Sequence, residues 1–361
     1  MRTGRADLPL HGGRAPRWLF ERMTSLAQAM TLVIVEEHGV AGMLARISDP
    51  FWFQAFGCVL GFDWHSGGLT TTTCGALKEG LRDVSDEIGL VVAGGKGKTS
   101  RRTPLEIEAA CERTGADPAP LVRASRLSAK VDSAAVQDGY QVYQHTFLFT
   151  PDGTWAVVQQ GMNEDTGMAR RYHWLTAPAF DSDPHAGVAG RAEQQVLNLV
   201  AGEADGNRKV ATELAREHPS KVAREIARLR EAEPRHLSLP RRHEARLADV
   251  DPTRIERVLL KSYEAQPTDY TSLLAVPGVG AKGLRALSLV AELTYGEPAS
   301  VKDPVSFSYA HGGKDGTPYP VNRKVCDSTV ESIRQVLSGT KLERSEKRAA
   351  LTRLAGLSAR A

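Results

Sequence analysis

The four cysteines, Cys58, Cys74, Cys111 and Cys326, stand far apart with no CxxC spacing among them. That excludes a disulfide framework and a cysteine-based zinc site, and sets a reducing cytoplasm as the expected location. Long apolar runs are missing too. No stretch reaches the roughly 18 apolar residues of a membrane-crossing helix, so no membrane partner is expected. The apolar segment after the Arg-, Gly- and Pro-rich first eighteen residues is interrupted by Glu21, Arg22 and Gln28, which does not fit an ordinary secretory signal. Charge of one sign is scarce overall. Forty-six Lys and Arg against 43 Asp and Glu leave a formal net charge of +3 over 361 residues, so the total does not advertise a nucleic-acid partner and local clustering is the better guide. A chain of this length with 41% apolar and 25% charged residues has enough material for a core and fits two or three globular domains.

Periodicity organises the chain. Apolar residues at three- and four-residue steps from Leu19 to Ile34 predict an amphipathic helix over residues 18–38. Residues 49–81 read as helices joined by a close turn at Gly67-Gly68, with Phe51, Trp52, Phe56, Leu60 and Phe62 buried. Residues 94–102 carry four basic side chains, Lys96, Lys98, Arg101 and Arg102, and no acid; Pro104 then opens a helix to about Thr114. Residues 140–150 and 154–160 are rich in aromatic and β-branched residues and flank Pro151-Asp152-Gly153, which predicts a β-hairpin, with a third strand at 168–175. Helical periodicity returns from Glu193 to Ala232, and residues 207–246 hold eleven Lys and Arg against six Asp and Glu. The expected fold is α+β and mainly helical, with a small antiparallel sheet in the middle. Its expected divisions are a helical domain at 1–125, a β-rich region at 126–192 and a basic helical domain at 193–361.

The most informative stretch is residues 269–295, DYTSLLAVPGVGAKGLRALSLVAELTY. An apolar helix leads into Pro277-Gly278-Val279-Gly280 and a second apolar helix begins at once. Two glycines allow a tight turn and close approach to a phosphate, and the amides of Ala281 and its neighbours at the second helix's N-terminus favour an anion. Lys282 and Arg285 would add cationic contacts to a strand's backbone without reading its bases. The segment resembles the helix-hairpin-helix motif of DNA repair proteins, including DNA glycosylases. In glycosylases with lyase activity a lysine two residues after the second glycine is the nucleophile and a downstream aspartate assists. The resemblance therefore implies Lys282 as the catalytic amine and Asp303 as the assisting acid, with Arg285 and Lys302 as neighbours that would lower the lysine's pKa. The sequence departs from the pattern in placing Pro304 after Asp303, and in carrying Asn322 where a second register, Val321 to Val325, would need an acid.

Other stretches carry weaker signals. AGGKGKT at residues 93–99 lacks the first glycine of a phosphate-binding P-loop, Val92 standing in its place, and reads better as a basic loop against a phosphate backbone. His311 and Lys314 lie in a glycine-dense loop near the hairpin in sequence and are candidates for the same DNA. Gln159, Gln160 and Asn163 with the aromatic and Arg residues of 170–174 offer groups for base edges and stacking, although Trp155 and Trp174 read more readily as core. Asp132, Asp138, Asp183 and His185 are the candidates for a magnesium or manganese site, should the protein be a metal-dependent nuclease. Across nearly the whole chain, the N-terminal RTGRADLPLHGGRAPRWLFERM, DPFWFQAFGCVLGFDWHSGG, AVVQQGMN with ARRYHWL, and AHGGKDGTPYPVNRK resemble an uncharacterised bacterial and archaeal family, domain of unknown function 763. That resemblance implies no activity. The expected function is DNA binding coupled to repair-type DNA processing by a glycosylase or abasic-site lyase that needs no cofactor. The alternatives are the metal-dependent nuclease and a non-enzymatic DNA-binding protein.

Overall fold

Alternation along the strands decides the architecture. Val91, Ala93, Phe147, Phe149, Trp155 and Val157 enter one hydrophobic core, while their neighbours Val92, Leu148, Ala156 and Val158 enter another, so one sheet separates two apolar layers. A computed structural model describes residues 8–10, 15–62, 66–176, 179–231, 252–306 and 323–358. The strands are β1 (Val91–Lys96), β2 (Val136–Gln137), β3 (Gln141–Phe149), β4 (Trp155–Asn163), β5 (Met168–Leu175), β6 (Gly187–Ala189) and β7 (Leu197–Asn198). Five form an antiparallel sheet of order β1-β3-β4-β5-β6, and β2 pairs with β7 apart from it. Beside β5, Pro9 bridges Met168 and Leu8 is buried.

One face is covered by α1 (Arg17–Ser48), α2 (Pro50–Leu60) and α3 (Gly68–Leu81). The short α4 (Ser85–Ile88) leads from α3 into β1. The opposite face carries α5 (Thr103–Thr114), α6 (Pro118–Lys130), α7 (Asp205–Arg216), α8 (Pro219–Glu231), α9 (Pro252–Ala265), α10 (Tyr270–Ala275) and α11 (Ala281–Tyr295). The last helices, α12 (Arg323–Gly339) and α13 (Arg344–Ser358), return to the first face, where Ile333, Val336, Leu337, Ala350 and Leu354 join the N-terminal core.

The fold is α+β and mainly helical, as the patterning indicates, and the hairpin with its third strand is present. Phe51, Trp52, Phe56 and Leu60 are buried, and Phe62 is half-buried. Four particulars differ. The first helix runs ten residues past His38 because its apolar face resumes after a bend at Gly39, whose φ is 71°. Residues 91–96 form an edge strand on β3 rather than a free loop. Helical structure begins at Gly202 rather than Glu193, because residues 187–198 are spent on β6 and β7. The β-rich region is not a separate unit: its sheet is the shared wall of both cores, and the C-terminal helices pack onto the N-terminal layer.

Candidate functional site

Helix α6 is started by Asp117, whose side chain accepts from the Ala119 amide ahead of Pro118, two strong N-terminal signals. Leu121, Val122, Ala124 and Leu127 bury its inner side. Arg123, Arg126 and Lys130, spaced by three and four, fall on one outer stripe; both arginines are exposed and Lys130 is half-buried. Clefts flank this stripe. One, of about 520 Å³, has Arg101, Arg126 and Lys130 on its walls and Ser125 and His145 at its floor. The other, of about 590 Å³, has Arg123, Arg126, Lys130, Val276 and Pro277, with Glu108 as its acid. Arg126 and Lys130 belong to both, so the clefts form one cationic groove across α6.

The far wall is the turn between α10 and α11. A capping box at Asp269 and Ser272 fixes the start of α10. Gly278 has φ 92°, a value that strains any side-chain-bearing residue. Val279 is buried among both helices. Two side chains hold the turn from the sheet side: the Lys130 ammonium donates to the Val279 carbonyl, and Gln137 Nε2 donates to the Ala281 carbonyl at 2.8 Å. Burial pulls the Lys130 pKa below its ordinary value. Gly280 caps α11 with no side-chain hydrogen bond, and a β-carbon there would meet nothing within 4 Å. Lys282 is exposed beside it. Lys261 lies along Gly278, its Nζ 3.4 Å from where a β-carbon would stand. An extended polyanion is the ligand this surface suits, through ammonium and guanidinium groups and an uncapped helix start.

Beneath the groove the polar side chains are linked. Ser125 Oγ lies 2.9 Å from His145 Nε2, and His145 Nδ1 lies 2.8 Å from Gln159 Oε1. Gln159 Nε2 donates to the Ser128 carbonyl and to Asp132 Oδ2 at 2.5 Å. Asp132 also receives Trp174 Nε1 and His185 Nε2. A π-helical turn at Val131–Ala135 ends α6 and carries Asp132, a distortion that re-aims side chains. Burial pushes the His145 imidazole down to about 4 and the Asp132 carboxyl up, against the pull of His185.

The predicted residues divide. Pro277 lines the groove; Gly278, Val279, Gly280 and Ala281 follow it in the turn, where Lys130 and Gln137 hold the Val279 and Ala281 carbonyls, and Lys282 is exposed in the first turn of α11. Arg101 lines it, with Lys98 and Arg102 exposed nearby in sequence. Lys96 instead lines a separate cleft of about 870 Å³ with Tyr143, Thr71 and Thr72. The glycines before it cradle no phosphate: the Gly94 amide donates to the Glu106 carboxylate, which also pairs with Lys78. Gly94 is required by packing, since a β-carbon would stand 2.2 Å from the His145 carbonyl oxygen. Arg285 is buried and donates to Gln137 at 2.7 Å, so it faces the core and not a strand.

Asp303 is likewise committed. Its oxygens accept from Arg170, the Glu193 amide and the Val305 amide, and Lys302 pairs with Glu203 at 2.5 Å. Neither is drawn to Lys282. Of the metal candidates, Asp132 and His185 are brought together as a pair, whereas Asp138 is held by Arg170, Tyr172 and the Tyr140 amide, and Asp183 accepts from the Gly202 amide. Among the described residues no group of three or more His, Cys, Asp or Glu is placed to hold a metal ion. Gln159, Gln160, Asn163 and residues 170–174 are buried, which removes them from base edges. His311, Lys314 and Asn322 lie outside the described residues.

Sequence reading missed Arg123, Arg126, Lys130, Lys261 and the Ser125–His145 pair. The spacing of the first three was a legible signal; the rest depend on tertiary contacts.

Residues 4–321 match one protein-family model, described as a protein of unknown function, DUF763. No curated protein and no solved structure matches the chain.

Proposed function

The chain belongs to the DUF763 family, and from that premise we propose that it binds DNA through the sugar–phosphate backbone, along the α6 groove, as part of a DNA-processing activity. The observation that carries this reading is convergence. Three segments distant in sequence, around Arg101, around Arg123 to Lys130 and at Val276 and Pro277, meet on one surface whose clefts hold several cations and, among the described residues, the single acid Glu108. Clusters of that kind neutralise phosphates and release counterions, and they bind strands of any sequence. Buried free thiols at Cys58, Cys74 and Cys111 support a reducing cytoplasm as the setting, and no helix among the described residues is long and apolar enough to cross a membrane.

Lys282 reads best here as a backbone contact. The lyase reading supplies its amine but not its acid, because Asp303 is held by Arg170. The metal-nuclease reading loses support because Asp132 and Asp138 are surrounded by hydrogen-bond donors.

The test is equilibrium binding to labelled duplex DNA over a salt series. Wild type is expected to show log K falling linearly with log salt, and Arg123→Gln/Arg126→Gln to flatten that slope by about 1.8, at ~0.9 per lost phosphate contact. Salt-independent binding, or an unchanged slope in the double variant, would overturn the reading.

A further inference from the structure

At the floor of the groove the hydrogen-bond array fixes a proton. Gln159 Nε2 donates to both the Ser128 carbonyl and Asp132, so the amide's orientation is set and its Oε1 must accept. The only donor His145 can offer that oxygen is Nδ1–H, at 2.8 Å. Nε2 is therefore the bare nitrogen, and Ser125, 2.9 Å away, donates its hydroxyl proton to it. A neutral imidazole in this tautomer, with a serine hydroxyl on its free lone pair and a polar group behind it, is the arrangement that activates a serine. Both residues are nine-tenths buried or more, yet both line the cleft whose walls carry Arg101, Arg126 and Lys130.

We propose that Ser125 is a nucleophile, activated by His145, that attacks a phosphodiester of a strand lying in the groove; this rests on the backbone-binding reading above. Ser125 Oγ forms a bond to phosphorus as its proton passes to His145 Nε2. The ester oxygen opposite leaves with the P–O electron pair and takes a proton back from the imidazolium, which gives a phosphoseryl ester and a free hydroxyl end. Water then attacks phosphorus, its proton passing to Nε2, and the Oγ–P bond breaks with its electron pair on Oγ, which takes that proton from the imidazolium to restore Ser125 and the neutral His145. The net reaction is hydrolysis of one phosphodiester, and return of the strand's own hydroxyl in place of water reseals it. Cations on the walls stabilise the charge that builds on the phosphoryl oxygens. Gln159 is a positioning residue that keeps the imidazole in the productive tautomer.

The decisive experiment uses diisopropyl fluorophosphate, a phosphorus electrophile that needs no nucleic acid, on the full chain, with adducts located by mass spectrometry. Expected is one adduct, on Ser125, absent in Ser125→Ala and formed at least tenfold more slowly in His145→Gln, with Ser125→Ala still binding DNA in a salt-dependent manner. Wild-type labelling is read without any variant and so stands whether or not the variants fold. An unmodified Ser125 in folded wild type, or equal labelling rates in His145→Gln, would overturn the nucleophile. Labelled Ser125 in a protein that binds no DNA would leave the activated serine standing and overturn its phosphodiester substrate together with the backbone-binding reading.

Discussion

Adjacent residues of β5 send arginines to opposite faces of one sheet, and the two faces use buried polarity differently. Arg171 points to the N-terminal layer, where Gln54, Thr70, the Pro50 carbonyl and His173 receive it and its guanidinium stacks 4.6 Å from the Phe53 ring. Arg170 points to the other layer, between Asp138 and Asp303 and 4.6 Å over the Tyr140 ring. Both side chains are wholly buried. On the first face the polar array is sealed beneath α1, α2 and α3 and its role is to bolt helices to strands. On the second, the Arg170 array ties β5 to the segments at Asp138, Arg191 and Asp303, but the neighbouring array from Asp132 to Ser125 ends at a cleft. A buried hydrogen-bond network becomes a candidate for chemistry when one end reaches a surface that a ligand can occupy.

Removing the Arg170 tie is the largest way to break this comparison. Arg170→Met leaves Asp138 and Asp303 buried without their cation and is expected to cost about 3–5 kcal/mol in urea unfolding. Asp303→Asn should move stability in the same direction. A wild-type urea midpoint in Asp303→Asn would return that residue to consideration as a functional acid.

The next effect follows pH. Burial lowers the pKa of His145 on the open face to about 4 and drives His173 on the sealed face well below its ordinary value. The unfolded chain binds a proton on each near pH 6.5. Stability from both imidazoles is therefore complete above that pH, and is lost as pH falls from 6.5, for His145 through about 4. The His145 contribution is about 3 kcal/mol, from 1.36 kcal/mol per unit. The buried Asp132 carboxyl, raised above its ordinary value, acts in the opposite sense, so the informative quantity is the difference between wild type and each His→Gln variant across pH 6.5 to 4. A stability curve that is equally steep in His145→Gln would mean the imidazole carries no such penalty.

How much of this was legible before folding varies with the range of the interaction. The hairpin, the apolar patterning and the turn at residues 276–280 are local, set by alternation, Pro-Asp-Gly chemistry and a glycine at positive φ, and the sequence carries them openly. The Arg123, Arg126 and Lys130 stripe was also local, but Lys130 gains its meaning only from contact with Val279, 149 residues away. Asp303 shows the reverse case. Its place after the hairpin suggested an acid for Lys282, whereas its partner is Arg170, 133 residues earlier and on the sheet. A motif constrains the backbone around it, but which carboxylate meets which cation is decided by tertiary packing.

The smallest expected effect sharpens the open face itself. If its cations act as interchangeable phosphate contacts, exposed Lys282 is one of several, and Lys282→Ala should flatten the salt slope by ~0.9 while leaving stability within about 0.5 kcal/mol. Borohydride treatment of wild type on DNA containing abasic sites should then give no covalent adduct, because no imine forms. An adduct that disappears in Lys282→Ala would make the lysine a nucleophile after all, and would shift the reactive centre of this groove from the floor beneath α6 to the turn at its rim.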